Sequence, residues 1–512
     1  MIGHPIGSKA SSVGTGRASS RRAFTGVPVP VPPGLRSFVC ATVSPSPGAC
    51  SAQPLPNRRA APSPASSRGA SVVRRTAGIN LGDLMLDVPE IDGDIRSLQV
   101  EMGATFDDEG LPITFGRKTA ALQALESGVA LYDASHWGRL RVAGEGRAAL
   151  MQNQSTNDFL GVQPGQGADT VFVTATARCM DLAQALVLPS SLLLMLDSRE
   201  GAAALRERLN KLIFPADKVE VQDISNKTAQ LCLMGPEAEV ILRELAPDVL
   251  SSVLGAPPGR HVLVAFRGRP AFVAAGSGLG PGVPGYTLIL DEAVAGDAYA
   301  ALAGKGAIPM GTEDWEAARI LVGRPKRGAE LTDAYNPFEA GLWGAVSLNK
   351  GCFIGQETLA KLRLKDGVNR QLWGLRLNGP TEPGAEITSE LSKVGVITSA
   401  CQDADGEWVG LGYVRSRLEG VQLRLEGVQV AVNGAPATLV PLSFATRQLR
   451  ADAEPAGARE ADGDSVGDRL EEAKRKKAEE QAAKQAATEA KLKAMQERLA
   501  AWQATQQQQP PQ

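Results

Sequence analysis

The sequence predicts an α+β protein with sheets of mixed direction, followed by a separate small β-barrel. Three observations carry that expectation. Between residues 79 and 369 the strand signals come in groups before each helix, not in single strand–helix–strand steps, which disfavours a Rossmann sheet. From 370 to 448 the chain changes to short strands broken by Gly, Pro and Asn, with little helical periodicity. The 512 residues are 43% apolar and 21% charged, enough to bury a sizeable core divided over two or three units.

Residues 1–78 stand apart from that globular pattern. No Asp or Glu precedes Asp83, whereas Lys9 and nine arginines fall among many Ser, Ala and Pro within residues 1–75. An acid-free, Arg- and Ser-rich N-terminus is the composition of an organellar transit peptide; a plain disordered tail is the alternative. The Pro-rich run "VPVPVPPG" does not suit an amphipathic presequence helix, so the expected destination is the chloroplast stroma, with the mitochondrial matrix as alternative.

The globular part begins in earnest with a helix over "RKTAALQALESG", which places Ala121, Leu122 and Leu125 on one side and stops at Gly128. "GRLRVAG" reads as a strand, and Gly144 and Gly146 open the helix after it. "DTVFVTATARCMDLAQALVLPSSLLLMLD" reads as three strands separated by polar or Pro-containing turns. "SREGAAALRERLNKLIF" is a helix with Ser198 as N-cap and Leu205, Leu209 and Leu212 on one stripe. "KVEVQDISNKTAQLCLMG" gives two strands, and "PEAEVILRELAPDVL" starts with Pro where a first helical turn tolerates it. "HVLVAFRGRPAFVAAG" and "GYTLIL" are strands. The connection "GSGLGPGVPG" reads as a loop, since it lacks the Lys and the strand-to-helix frame of a phosphate cradle. "EAVAGDAYAALAGKG" and "TEDWEAARILVG" are helices, the second with Thr312 as N-cap.

"RQLWGLRLNG", "GVITSACQ", "WVGLGYVRS" and "VQLRLEGVQVAVNGAPATLVPL" supply the barrel strands. Residues 449–512 read as a linker and a charged helical tail, with i,i+4 pairs such as Glu471 with Arg475 and Glu489 with Lys493. Leu492, Met495, Leu499 and Trp502 form an a/d seam too short for a sustained coiled coil. A solvated single helix and a partner-binding helix both fit that tail.

Net charge of −2 carries no basic excess for nucleic acid, and no apolar run is long enough to span a bilayer. Beyond the leader, Cys179, Cys232, Cys352 and Cys401 form no C-x-x-C pair, and only His136 and His261 remain as histidines. Neither a disulfide framework nor a zinc site is indicated.

The chemistry concentrates in "NKGCFIGQETLAKL". Gly351 and Gly355 allow a sharp turn, and "ETLAKLRLK" reads as the helix that follows. Cys352 therefore sits just before a helix N-terminus, where free amides and Lys350 favour a thiolate. Gln356 and Glu357 are placed to bond a ligand or to brace the turn. The alternative is a small apolar cysteine in a structural turn.

"LNKGCFIGQETLAKL" resembles the K-G-C-[FY]-x-G-Q-E signature of the YgfZ-type folate-binding proteins, which are relatives of the T-protein (aminomethyltransferase) of the glycine cleavage system. "LYDASHWGRLRVAGEGRAALMQNQSTND", "EDWEAARILVGRP", "YNPFEAGLWGAVSLNKG", "KVGVITS" and "GLGYVRS" extend the resemblance over roughly residues 98–445. It implies a three-lobed aminomethyltransferase-like fold with a folate cavity through the middle, and tetrahydrofolate or a one-carbon-substituted folate as cofactor. It implies as partners iron–sulfur assembly factors or client proteins. It makes Cys352 the functional thiol with Lys350 beside it, and places Glu339 near the pterin, with Gln356 and Glu357 as further candidate folate contacts. Arg319 and Lys326 are candidates for the folate's glutamate tail, with solvation at the surface as the alternative for each.

Two departures separate the chain from T-proteins. Their "G-G-x-x-D-D-L" strand is here "ARCMDLA", so Asp181 remains as a cofactor contact while Leu182 stands in place of its partner. Their "Y-T-G-E" is here "GPGVPGYTLIL", without the glutamate. Methylene transfer needs a carboxylate to position the amine, so the expectation is a tetrahydrofolate-binding protein of iron–sulfur cluster assembly or repair. A folate-dependent aminomethyltransferase or demethylase and a non-catalytic interaction scaffold are the alternatives.

Overall fold

In the computed structural model the apolar run after Gln166 forms an antiparallel meander, Gln166–Val173, Cys179–Val187 and Ser191–Leu196. Gly138–Gly144 and Val219–Asp223 complete a five-stranded sheet. Helix Arg199–Asn210 lies on it and buries Ala202, Leu205 and Leu209. Ser198 caps that helix by accepting from the Gly201 amide at 2.9 Å, as its position in the sequence predicts.

A seven-stranded sheet forms the second layer, ordered Asp83–Leu84, His261–Phe266, Arg269–Ala275, Gly285–Asp291, Thr228–Met234, Ala130–Asp133 and Ile308–Met310. Its two outermost pairings are parallel and the rest antiparallel, the mixed direction that the grouped strands predict. Helices Ala238–Leu245 and Ala295–Gly304 cover it through Ile241, Leu242, Tyr299 and Leu302. The two sheets meet through Leu186, Leu193 and Met195 on one and Ala274 and Ile289 on the other.

Six strands from Arg370–Leu377 to Ala435–Val440 close into the C-terminal barrel. Glu386–Ser389, not foreseen as a strand, pairs with Ser392–Gln402 and Gln429–Val432 and completes it. The barrel docks through Leu372, Leu411 and Tyr413, which pack with Val171, Leu331 and Tyr335. Helix Thr312–Val322 also touches it, but Thr312 is not its cap. Gly311 is the N-cap residue, and Asp314 reaches back to accept from its amide at 3.1 Å, which leaves Thr312 in the first turn.

The structure describes residues 83–84, 94–246, 250–365, 367–389, 392–418, 421–422 and 425–450. The expected transit peptide (1–78) and, beyond Arg450, the expected helical tail lie outside the described residues. Among the described residues no helix is long and apolar enough to cross a membrane.

Candidate functional site

A cavity of about 620 Å³ opens between the sheets and the segments that flank the barrel, within the size range of small-molecule sites. Leu182 and Gln184 project from one sheet and Tyr286 stands on the other, with "GSGLGPGVPG" crossing between them. The glycines of that loop permit its close path. At Gly280 φ is +101°, and a Cβ there would stand 2.2 Å from Cδ2 of Phe444, itself on the cavity wall. Ser277 braces the loop by donating to the Val283 carbonyl at 2.7 Å.

The cavity's polar groups form two clusters. Asp169 lies with Arg324 and Arg450. Its side chain is exposed to the cavity yet deep within the protein, where poor hydration raises its carboxyl pKa against the pull of the two arginines. Arg324 donates to Asp197 at 3.0 Å, stacks 5.5 Å from the Phe444 ring centre, and keeps its buried Nε without a protein partner. In the other cluster Tyr286 donates to Glu239 at 3.3 Å and accepts from the Gly255 amide at 3.1 Å. Burial raises the Tyr286 phenol.

None of the eight residues singled out in the sequence lines this cavity. Leu182 and Gln184 face it, so strand alternation turns Asp181 to the opposite side. There Asp181 accepts from the Leu182 amide at 2.9 Å and lies 3.7 Å from Arg327. Burial, then the Asp197 charge, push its pKa up to about 7. The cofactor contact expected at Asp181 is therefore not on the wall of this cavity. Arg319 is also off the cavity wall: all five of its N–H groups are engaged by Glu316, Glu330, Ser399 and the Arg324 carbonyl, in a fully buried position that locks the barrel to the body. Glu339 is buried away from the cavity, where it accepts from the Asn336 amide at 3.1 Å and Arg370 at 3.2 Å. Glu357 points to solvent and pairs with Lys361 at 2.7 Å. Gln356 braces the turn, donating to the Lys350 carbonyl at 3.4 Å.

Lys350 and Cys352 part company. The Lys350 ammonium is buried, donates to the carbonyls of Ser155 (2.7 Å) and Asn157, and sits 4.6 Å from the Phe353 ring centre. Desolvation lowers its pKa to about 7, against the pull of Asp158. Further bonds hold the same strip of chain: Ser347 N to Thr156 O at 2.9 Å and Ile354 N to Asn153 O at 3.1 Å. Cys352 is exposed, whereas Cys179 and Cys232 are buried and Cys401 is intermediate. Helix Gln356–Leu364 starts after Gly355, whose φ of +81° makes the turn.

The model of the GCVT N-terminal domain matches residues 97–350. A protein of Arabidopsis thaliana provisionally named a chloroplastic transferase is 40% identical over 334 residues, covering 65% of this chain and 76% of its own. The chain belongs to the GCVT family. Aminomethyltransferases of Desulforamulus reducens (29% identical; 59% of this chain, 83% of theirs) and Synechococcus elongatus (26%; 65% and 91%) are further GCVT relatives. The crystal structure of glycine cleavage system aminomethyltransferase T from Bartonella henselae superposes with a TM-score of 0.57 at 20% identity, over 69% of this chain and 97% of that one. The aminomethyltransferase-like fold expected from the sequence is therefore present.

Within the GCVT frame, the cavity residues that sequence reasoning missed are Asp169, Gln184, Glu239, Tyr286, Arg324 and Arg450. Only the Gly-rich loop and the arginine set between Gly323 and Pro325 offered a signal. The others are ordinary strand and helix residues until the two sheets bring them together.

Proposed function

We propose that this GCVT-family protein binds tetrahydrofolate, or a one-carbon-substituted folate, in its central cavity and acts in iron–sulfur cluster assembly or repair in the chloroplast stroma. The observation that carries the folate part is the donor set of the cavity. The carboxylate of Glu239 suits the donor edge of an aminopyrimidine, the apolar walls at Leu182, Tyr286 and Phe444 suit flat rings, and Arg324 and Arg450 in the other cluster suit a terminal carboxylate. A bound folate would supply a one-carbon unit or the ring nitrogens that carry one. The protein's own part is to hold those rings, to exclude water with the glycine loop, and to present Cys352 on the outer surface.

The exposure of Cys352 outside the cavity supports a thiol that meets another protein, not one that attacks a cavity-bound folate. The resemblance of "NKGCFIGQETLAKL" to the YgfZ-type signature supports a cluster-bearing client as that other protein. The chloroplastic relative and the composition of residues 1–78 support the location. Complementation of cells lacking their YgfZ-type protein tests the reading. The wild-type chain should restore the activity of iron–sulfur enzymes and Cys352→Ala should not; full rescue by Cys352→Ala would remove the thiol from the account.

Asp169 gives a second reading its support. A carboxylate exposed to the cavity could position an amine for folate-dependent aminomethyl transfer, even though Leu182 stands at the neighbouring wall position. Tetrahydrofolate-dependent glycine or dimethylglycine turnover by the purified protein, abolished by Asp169→Asn, would favour that transferase over the maintenance role.

A further inference from the structure

The last described residues fix where the chain leaves the fold. Leu449 is buried with Phe338 and Val368, and Arg450 donates to Asn157 Oδ1 at 3.0 Å. At that point Arg450 stands on the walls of both the central cavity and a second cleft of about 530 Å³. The other charged groups of the second cleft are Arg260 and Asp158. Arg260 is half-buried and forms no ion pair among the described residues. Asp158 is already answered: it accepts from the Leu160 amide at 3.1 Å and lies in the field of the Lys350 ammonium. The sequence that emerges here carries the opposite charge. Residues 451–468, "ADAEPAGAREADGDSVGD", lie outside the described residues and hold Asp452, Glu454, Glu460, Asp462, Asp464 and Asp468 against Arg459 alone. From Arg469 to Gln512 the balance reverses, with nine bases to six acids. The acid excess is thus confined to the stretch that starts beside the two arginines.

We propose that the acidic segment 451–468 of this same chain seats in the second cleft, with its carboxylates on Arg260 and Arg450, and so gates the central cavity that Arg450 borders. An extended chain advances about 3.3–3.6 Å per residue, so Asp452 and Glu454 reach roughly 7 and 14 Å from the point of exit, on the scale of the cleft. Arginine suits a carboxylate through its paired donors. The tether keeps the acids at an effective concentration in about the millimolar range, whatever the concentration of the protein. Each partly solvated ion pair contributes little by itself, so the seat is readily emptied, and salt should empty it. While the segment is seated, a negatively charged cavity ligand meets its repulsion and loses Arg450 to it. Only that last consequence rests on the folate reading above.

Phenylglyoxal modification of Arg260 in the full chain, followed by peptide mass spectrometry, tests the seat without any cavity ligand. At low salt Arg260 should react about three- to tenfold faster when the six acids of 451–468 are changed to Asn or Gln than in wild type. About 0.5 M salt should erase the difference. Changing instead the six glutamates of 469–512 to Gln should leave Arg260 as protected as in wild type, which separates a seated segment from net charge. Equal rates in wild type and the first variant, or equal exposure by the second, overturns the proposal. Protection that grows with protein concentration also overturns it, since the acid would then come from a second copy. Calorimetry with 5-formyltetrahydrofolate reads the gate: the first variant should bind about threefold or more tightly than wild type. Equal affinity overturns the gate, whereas no binding by either protein removes the folate reading and leaves the seat to the modification rates.

Discussion

Lys350 offers the sharpest physical test of how the signature segment is built. Its ammonium is spent on the Ser155 and Asn157 carbonyls in a buried position, and desolvation brings its pKa from 10.5 to about 7. Between those values the native lysine is largely neutral while the unfolded one is protonated. The unfolded state then binds more protons, so stability rises with pH through that window and the burial penalty is greatest below pH 7. Other groups confine the clean range. His136 and His261, with lowered pKa values, act below about pH 6.5. Asp181, raised to about 7, gives the opposite slope up to and just above neutrality, and the buried thiols Cys179, Cys232 and Cys401, all raised, oppose it increasingly above pH 8. Between pH 7 and 8.5 the Lys350 contribution should be about 1.7 kcal/mol of added stability. Urea denaturation followed by tryptophan fluorescence measures it. Lys350→Met should remove the rise and, by leaving two buried carbonyls unmet, cost about 1–3 kcal/mol at pH 8.5. The lysine's share is the difference between the two profiles; the same pH dependence in wild type and Lys350→Met between pH 7 and 8.5 would refute the argument and return Lys350 to the side of the Cys352 thiol.

Three further outcomes follow from particular contacts. Glu330 accepts from Arg319 at 2.9 Å, Thr398 at 2.6 Å and Ser399 at 2.7 Å, so Glu330→Ala should destabilise the docking of the barrel by about 3–5 kcal/mol in the same denaturation assay. Gly280→Ala places a Cβ against Phe444 at a left-handed φ, and should cost about 1–3 kcal/mol while weakening binding of 5-formyltetrahydrofolate by calorimetry. Cys352→Ala should leave stability within about 0.5 kcal/mol, because the thiol is exposed. Loss of complementation in that variant would then report on chemistry and not on folding.

Much of the frame was readable from local signals. Ser198 before an apolar stripe marks a helix start because its hydroxyl meets an orphan amide, and the short apolar runs broken by polar or Pro-containing turns across Gln166–Leu196 mark a meander whose strands are largely buried. The site was less readable. Asp181 and Arg319 carry the right chemistry for ligand contacts, but strand alternation turns one away from the cavity. The other meets Glu330 and Ser399, partners 11 and 80 positions along the chain. Glu339 is similarly claimed by Arg370, which belongs to the barrel. The glycines of "GSGLGPGVPG" have no side chain to advertise a wall, and Asp169 and Tyr286 become neighbours of one cavity only when two sheets are laid face to face. Lys350 illustrates the remaining gap. Proximity to Cys352 in sequence suggested an electrostatic partner, whereas the chain directs its ammonium to a helix end nearly 200 residues earlier.

The central claim is that the cavity between the sheets holds a folate, and calorimetric titration of the full chain with 5-formyltetrahydrofolate tests it most directly. The account predicts saturable binding at one site, weakened at least tenfold by Ala168→Trp, which fills the cavity from its wall. No saturable binding by the wild-type chain, or binding that Ala168→Trp leaves untouched, would contradict it.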